Sequence, residues 1–255
     1  MRLAIAALLL PAAFMPAASA RSLEQIKAFG TLSVCLPANS LPFSSRHDTP
    51  AGFEVELANV LARELGVSLE TDWVISPIQV LRANCDLLLD VIADPEAQDN
   101  SHLVLSKPYY RSGVALVVPQ GSPITSLAAL DAHTKVAVQV GSIVSMILSQ
   151  RQVGLTTYAF EDEMLQAVAD GEADAAAVTP VSAGYFNLAH PDHKLTILPP
   201  DEADQRLVWN IAIGMRKPDP GLREAMNKAI DQLSANGTIA SIYGRYGVTL
   251  LPPKP

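Results

Sequence analysis

The chain is poor in the features that carry most recognisable chemistry. Its 255 residues hold two cysteines, Cys35 and Cys85, too few for a cysteine-built zinc site or a disulfide scaffold. Aromatic residues make up 5% of the chain, and Lys plus Arg number 18 against 26 Asp plus Glu. An acidic, aromatic-poor chain is a weak partner for nucleic acid or an anionic membrane surface. Beyond residue 20 no run of about 18 apolar residues occurs, so no membrane insertion is expected. Low-complexity tracts and short-period repeats are missing. So are the G-x-S-x-G, H-E-x-x-H and P-loop patterns, which leaves no motif for a catalytic serine, a zinc peptidase or a nucleotide site. The five histidines do not converge; His190 and His193 are separated by Pro191.

The first twenty residues read as a secretory leader. MRLAIAALLLPAAFMPAASA has a positive start at Arg2, an apolar middle and the small residues Ala18-Ser19-Ala20 at its end. Cleavage after Ala20 and a periplasmic location are expected. Arg2 leaves with the leader, so the formal charge moves from −8 to −9. In an exported chain, an even and small cysteine count points to one disulfide. Cys35 and Cys85 both lie in strand-like segments, and a bridge requires those strands to be neighbours; two free buried thiols are the alternative.

Strand-like and helix-like segments alternate along the rest. TLSVCL (31–36) is apolar, and GFEVELANVLARELG places Phe53, Leu57, Val60, Leu61 and Leu65 at helical spacing, with Gly66 as the stop. SLETDWVI, a short helix after Pro77 and CDLLLDVI follow. This β-α-β order argues parallel sheets with helices on both faces. The pattern restarts at KVAVQV (135–140) and runs through GSIVSMILSQRQ, LTTYAF, EDEMLQAVADG, ADAAAVT and PVSAGYFNLAH. Two long β runs, SGVALVVP (112–119) and LVWNIAIGM (207–215), separate and follow the two units. We therefore expect two lobes, residues 21–117 plus 212–255 and residues 118–211.

One segment sets a puzzle. NCDLLLDVIADPEAQDN begins as a buried strand and then accumulates acids: Asp86, Asp90, Asp94, Glu96 and Asp99, with no Lys or Arg among them. An acid at the end of an apolar strand needs a cleft or a partner.

LPFSS (41–45), GFEVELANVLARELG (52–66), CDLLLDVI (85–92), LSKPYYRSGVALVV (105–118), KVAVQVGS (135–142), DGEADAAAV (170–178) and NGTIASIYGRYG (236–247) together resemble the family 3 periplasmic solute-binding proteins, which include amino-acid receptors of ABC importers. The resemblance covers nearly all of the chain after residue 20. It implies the type II periplasmic binding protein fold: two Rossmann-like α/β lobes joined by two hinge strands, with a ligand between them. Such ligands sit beyond the carboxyl ends of the strands. By position the implied ligand-binding residues are Asn39, Ser40, Phe43, Asp90, Tyr109, Gly141, Ser142, Thr179 and Tyr185. Tyr109 and Tyr110 divide between the cleft edge and the lobe interior. Ser142 is also an ordinary helix cap.

The chain departs from the amino-acid receptors at three places. Gln98 stands where the family's carboxylate-gripping Arg is expected, and Thr179 where an amine-gripping acid is expected. Asp90 and Val91 replace a serine-rich turn. Neutral Gln cannot reproduce bidentate Arg recognition. The expected ligand is therefore a small polar molecule other than a standard α-amino acid, with a cation, an amine or a neutral polyol favoured. A narrower resemblance links VC-x-P-x-N-x-LPFS (34–44), CD (85–86), PYYRS (108–112), P-x-S-AGYF (180–186) and IAIGMRKPDPGLR (211–223) to the J-type periplasmic proteins associated with quinoprotein alcohol dehydrogenases. It implies a periplasmic dehydrogenase, in place of an ABC permease, as the protein partner. No cofactor, metal or catalytic residue is assigned and a monomer is expected. A few proteins of this fold are dehydratases, for which Asp90 and Glu161 are the available acids.

Overall fold

A computed structural model describes residues 21–93, 103–216 and 220–254. The leader and the positions of Asp94, Glu96, Gln98 and Asp99 lie outside the described residues. The chain forms two α/β lobes, each built on its own mixed sheet.

The first lobe opens with α1 (Leu23–Phe29). A capping box ties it down, with the Ser22 hydroxyl accepting from the Gln25 N–H and the Gln25 side chain accepting from the Ser22 N–H. β1 (Thr31–Pro37) then runs parallel to β4 (Ser68–Val74) and β5 (Leu87–Ile92). Between β1 and β4 come a small hairpin, β2 (Asn39–Ser40) with β3 (Ser44–Ser45), and helix α2 (Phe53–Glu64). The apolar stripe of α2 buries Phe53, Leu57 and Leu61 on the sheet. α3 (Pro77–Arg82) links β4 to β5.

Three antiparallel strands complete this sheet: β6 (Leu103–Leu105), β7 (Tyr110–Gly113) and the long β13 (Val208–Arg216). The second sheet has the order β10-β9-β11-β8-β12, from β8 (Ala115–Val118), β9 (Lys135–Gln139), β10 (Gly154–Tyr158), β11 (Ala175–Val178) and β12 (Thr196–Leu198). Helices α4 (Ile143–Gln150), α5 (Glu161–Ala169) and α6 (Pro180–Ala189) cover it. The chain returns through β13 to α7 (Pro220–Ala235) and α8 (Thr238–Gly244), which pack on α2.

The expectation of parallel sheets therefore needs correcting. Each sheet has a parallel core of three strands with antiparallel strands added at one side. The physical reason lies in the two long β runs. The first breaks at Val114 into β7 and β8, which join different sheets, while β13 stays whole in the first. The crossings between lobes thus fall at Val114 and just before Val208. Trp209, at the return crossing, packs against the cores of both lobes.

Cys35 and Cys85 form a disulfide, with Cα atoms 5.5 Å apart. Cys35 lies in β1 and Cys85 two residues before β5, and the two strands are neighbours through Val34–Leu87 and Cys35–Leu88. Asp86, next to Cys85, is fully buried and does not line the cavity described below. Its carboxylate accepts from the Arg21 guanidinium at 2.6 Å and from the Ser33 N–H at 2.9 Å. That acid anchors the beginning of the described chain, which removes it from the functional cluster.

Candidate functional site

The parallel strands of the first lobe end at a cavity of about 310 Å³. Pro37 closes β1 and Val74 closes β4, while Leu88, Leu89 and Asp90 belong to β5. The hairpin contributes Ser40, Phe43 comes from its turn and Glu54 from the first turn of α2. The disulfide forms part of the wall through Cys35. All of the lining residues come from the first lobe.

Asp90 reaches this cavity through a local irregularity. Between the pairs Leu88–Gly214 and Val91–Ala212, β5 carries one more residue than β13. Such a bulge re-aims a side chain that regular alternation would place elsewhere. Asp90 has φ 53°, one of two non-glycine residues with positive φ among the described residues. Asp tolerates that conformation because its short side chain bonds locally.

The electrostatics follow from burial. The Tyr110 hydroxyl donates to Asp90 Oδ1 at 2.5 Å. The Ser44 hydroxyl donates to Glu54 Oε2 at 3.2 Å. Glu54 is 4% exposed. Burial, and next the charge of Asp90, push the Glu54 carboxyl up to about 8, with Ser44 opposing. Burial pushes Asp90 up to about 6, and the Tyr110 hydrogen bond draws it back. Burial also raises Tyr109, Tyr110 and Tyr243 well above the ordinary tyrosine value, with the Asp90 charge adding to the effect, so their hydroxyls stay protonated donors. At neutral pH the two coupled acids share about one proton, and the pair carries about one negative charge.

A stability prediction follows with its sign. Both acids bind their protons more tightly in the folded state than in the unfolded one. Their contribution is fully favourable below about pH 4 and is lost as pH rises through about 6 and about 8. Glu54→Gln, which keeps an acceptor for Ser44 without the charge, should match the parent near pH 4. It should exceed the parent by on the order of 2–4 kcal/mol at pH 9. Urea unfolding of both proteins at pH 4, 7 and 9 measures the difference; a gap independent of pH contradicts the assignment.

Below the cavity lies an aromatic column. Phe43 and Phe53 have ring centroids 5.1 Å apart, Phe53 and Tyr243 4.3 Å, Tyr243 and Tyr110 5.2 Å, and Tyr110 and Tyr109 5.2 Å. Tyr110 is the member of this column that bonds to the acid pair, through Asp90.

The candidates read from the sequence divide between the lobes. Ser40, Phe43 and Asp90 line the cavity; Asn39 is the exposed neighbour on the hairpin. Tyr109 is buried in the lobe core, its hydroxyl accepting from Tyr243 at 3.4 Å, and Tyr110 is the tyrosine that meets Asp90. Gly141 and Ser142 sit at the start of α4, where the Ser142 hydroxyl accepts from the Ser145 N–H. Thr179 caps α6, and its N–H and hydroxyl both donate to the Glu161 carboxylate, at 2.8 and 2.7 Å. Glu161 thus holds the helix start, where the dipole favours it. Tyr185 packs against the first lobe's core, 6.4 Å from the Tyr246 ring. Of the pair Tyr109 and Tyr110, expected to divide between cleft edge and interior, it is Tyr110 that reaches the acid, and Glu54 is the residue the sequence reading does not single out. A signal for Glu54 exists, since it lies one helical turn from Leu57 and Ala58 and two from Leu61, all buried. Among the described residues no group of three or more His, Cys, Asp or Glu is placed to hold a metal ion. No described helix is long and apolar enough to cross a membrane.

Residues 32–249 match the family of bacterial extracellular solute-binding proteins, family 3. The chain belongs to that family. Protein MoxJ of Paracoccus denitrificans is 28% identical over 254 residues, covering 87% of this chain and 89% of its own. The membrane-bound lytic murein transglycosylase F of Desulfosudis oleivorans is 26% identical over 252 residues, covering 89% of this chain. This chain spans only 51% of that protein's length. Among solved structures, an ancestral cationic amino acid solute-binding protein superposes with a TM-score of 0.74 at 26% identity, covering 88% of this chain and 99% of that one. The family consists mainly of periplasmic or extracellular binding proteins that carry no catalysis of their own, and its two-lobed architecture is the one described above.

Proposed function

We propose that the protein is a non-catalytic periplasmic binding protein. It takes a small polar solute other than a standard α-amino acid into the cleft between its lobes and presents it to an ABC permease. The observation that carries this reading is the walled cavity at the strand ends, whose described lining residues include Glu54 and Asp90 and no Lys or Arg. A free α-carboxylate would meet like charge there. Gln98, at the position of the expected arginine, supports the same conclusion, as does Thr179, whose donors already serve Glu161. The leader, cleaved after Ala20, would deliver the chain to the periplasm.

Thermal unfolding with candidate solutes tests the reading, because a ligand that binds only the folded state raises Tm. Glutamate, glutamine and histidine at millimolar concentration should leave Tm unchanged, while an amine or polyol in the same panel raises it. Clear stabilisation by any of the three amino acids contradicts the reading.

A second reading is favoured by the similarity to MoxJ and by the P-x-S-AGYF and PYYRS segments. In it the chain is an accessory protein of a periplasmic quinoprotein alcohol dehydrogenase, with its cleft no longer used. Neighbouring genes for a dehydrogenase and a cytochrome c favour this reading; genes for a permease and an ATPase favour the first.

A further inference from the structure

The geometry points to the first-lobe cavity as a subsite for a small organic amine, its ammonium group at Asp90 and Glu54 and its apolar body along the opposite wall. The inference rests on the solute-binding reading and names the class of solute.

Glu54 is nine-tenths buried from bulk solvent and still lines the cavity. Ser44 supplies one hydrogen bond to it and Tyr110 one to Asp90, whereas an ionised carboxylate offers about four acceptor sites and a protonated one fewer. Acceptor capacity therefore remains on the pair even with one proton between them, and no cation among the described lining residues takes it up. The rest of the wall is largely Phe43, Val74, Val80, Leu88 and Leu89. A polyol would leave hydroxyl groups unpaired against that wall. Among the described residues no third carboxylate, His or Cys joins the two acids to hold a metal ion. A primary ammonium on a short alkyl body meets acceptors at one end and apolar surface at the other. The groups facing Asp90 are Glu54 from α2, Tyr109 and Tyr110 from the segment entering β7, and Tyr243 from α8. The tyrosines stay neutral, so the acids set the charge, which suits a monocation at neutral pH.

Alkylamines and the lysine side chain share this chemistry, so calorimetric titration of the purified protein should use pentylammonium chloride, L-lysine and 1-pentanol. At pH 8 pentylammonium should bind at least tenfold more tightly than 1-pentanol. At pH 5 it remains a cation while Asp90 gains its proton, so its affinity should fall at least fivefold and that of 1-pentanol should not. Asp90→Asn, which tolerates the same backbone conformation, should reduce pentylammonium affinity at least tenfold. The wild-type pH profile provides the same test should that variant misfold. Equal binding of alcohol and amine, or an amine affinity indifferent to both pH and Asp90→Asn, overturns the inference. Asp90-dependent binding of L-lysine alongside pentylammonium supports the ammonium subsite while contradicting the exclusion of standard amino acids. A stabilising solute found in a panel where pentylammonium does not bind overturns the subsite and leaves the solute-binding reading standing.

Discussion

Replacing Cys35 and Cys85 together by Ser should lower the stability of the oxidised protein by about 4 kcal/mol. The bridge spans a separation of 50 residues, so its loss releases a long loop in the unfolded chain. The folded state feels the loss as well. β1 and β5 pair through only two residues each, Val34 with Leu87 and Cys35 with Leu88, and the disulfide lies at that short seam. Both cysteines are buried with Val74, and Cys35 lines the cavity, so loosening the seam should also weaken solute binding. Urea unfolding of the double variant measures the first effect, and a thiol reductant applied to the parent should reproduce it. A loss below about 1 kcal/mol would mean that the bridge adds little to what the sheet already holds.

Gly52→Ala should be comparably severe, at about 4 kcal/mol, combining backbone strain with a direct clash. Gly52 has φ 102° and ψ 154°, a region open essentially to glycine alone. A Cβ there would stand 2.3 Å from the Phe43 carbonyl oxygen, which is backbone and cannot swing aside. The position cannot move freely, because its N–H donates to the Tyr246 hydroxyl at 3.0 Å. The next two N–H groups donate to the carbonyls of Pro42 and Phe43. Those bonds replace the missing side-chain cap of α2 and hold Phe43 and Glu54 at the cavity. Gly171→Ala is the comparison: φ is 76°, but nothing lies within 4 Å of the added carbon, so about 1 kcal/mol is expected. Equal losses for the two variants would show that the contact with Phe43 is unimportant.

Much of the architecture was legible because its signals are local. The spacing of Phe53, Leu57 and Leu61 marks α2, and the apolar runs at 31–36, 85–92 and 173–179 mark central strands. Helix α1 was overlooked although Ser22, Gln25 and Gly30 carry its caps; seven residues with one fully buried side chain make a weak periodic signal. The β2–β3 hairpin has two-residue strands, too short for any alternation to register. The break at Val114 is not visible because residues 112–119 read as one uninterrupted β run, with no proline or charge at the point where β7 gives way to β8 in another sheet.

The site was legible in part. Asp90 stood out as an acid ending an apolar strand. Its bulge depends on the partner strand, which the local pattern does not contain. Glu54 was passed over because an acid in the first turn of a helix is ordinary dipole chemistry. Its contact with Ser44 of the hairpin is a tertiary feature that the helix pattern does not contain. Tyr109 and Tyr110 are adjacent residues of one type; only the sheet decides which hydroxyl reaches Asp90.

The central claim is that solute is taken up at the acid pair of the first lobe. An experimental structure of the protein with the solute that raises its Tm most tests this directly. The account predicts a polar atom of that solute within hydrogen-bond distance, about 3 Å, of Asp90 or Glu54. A solute held by Ser142 and Thr179 alone, with both acids untouched, would contradict it.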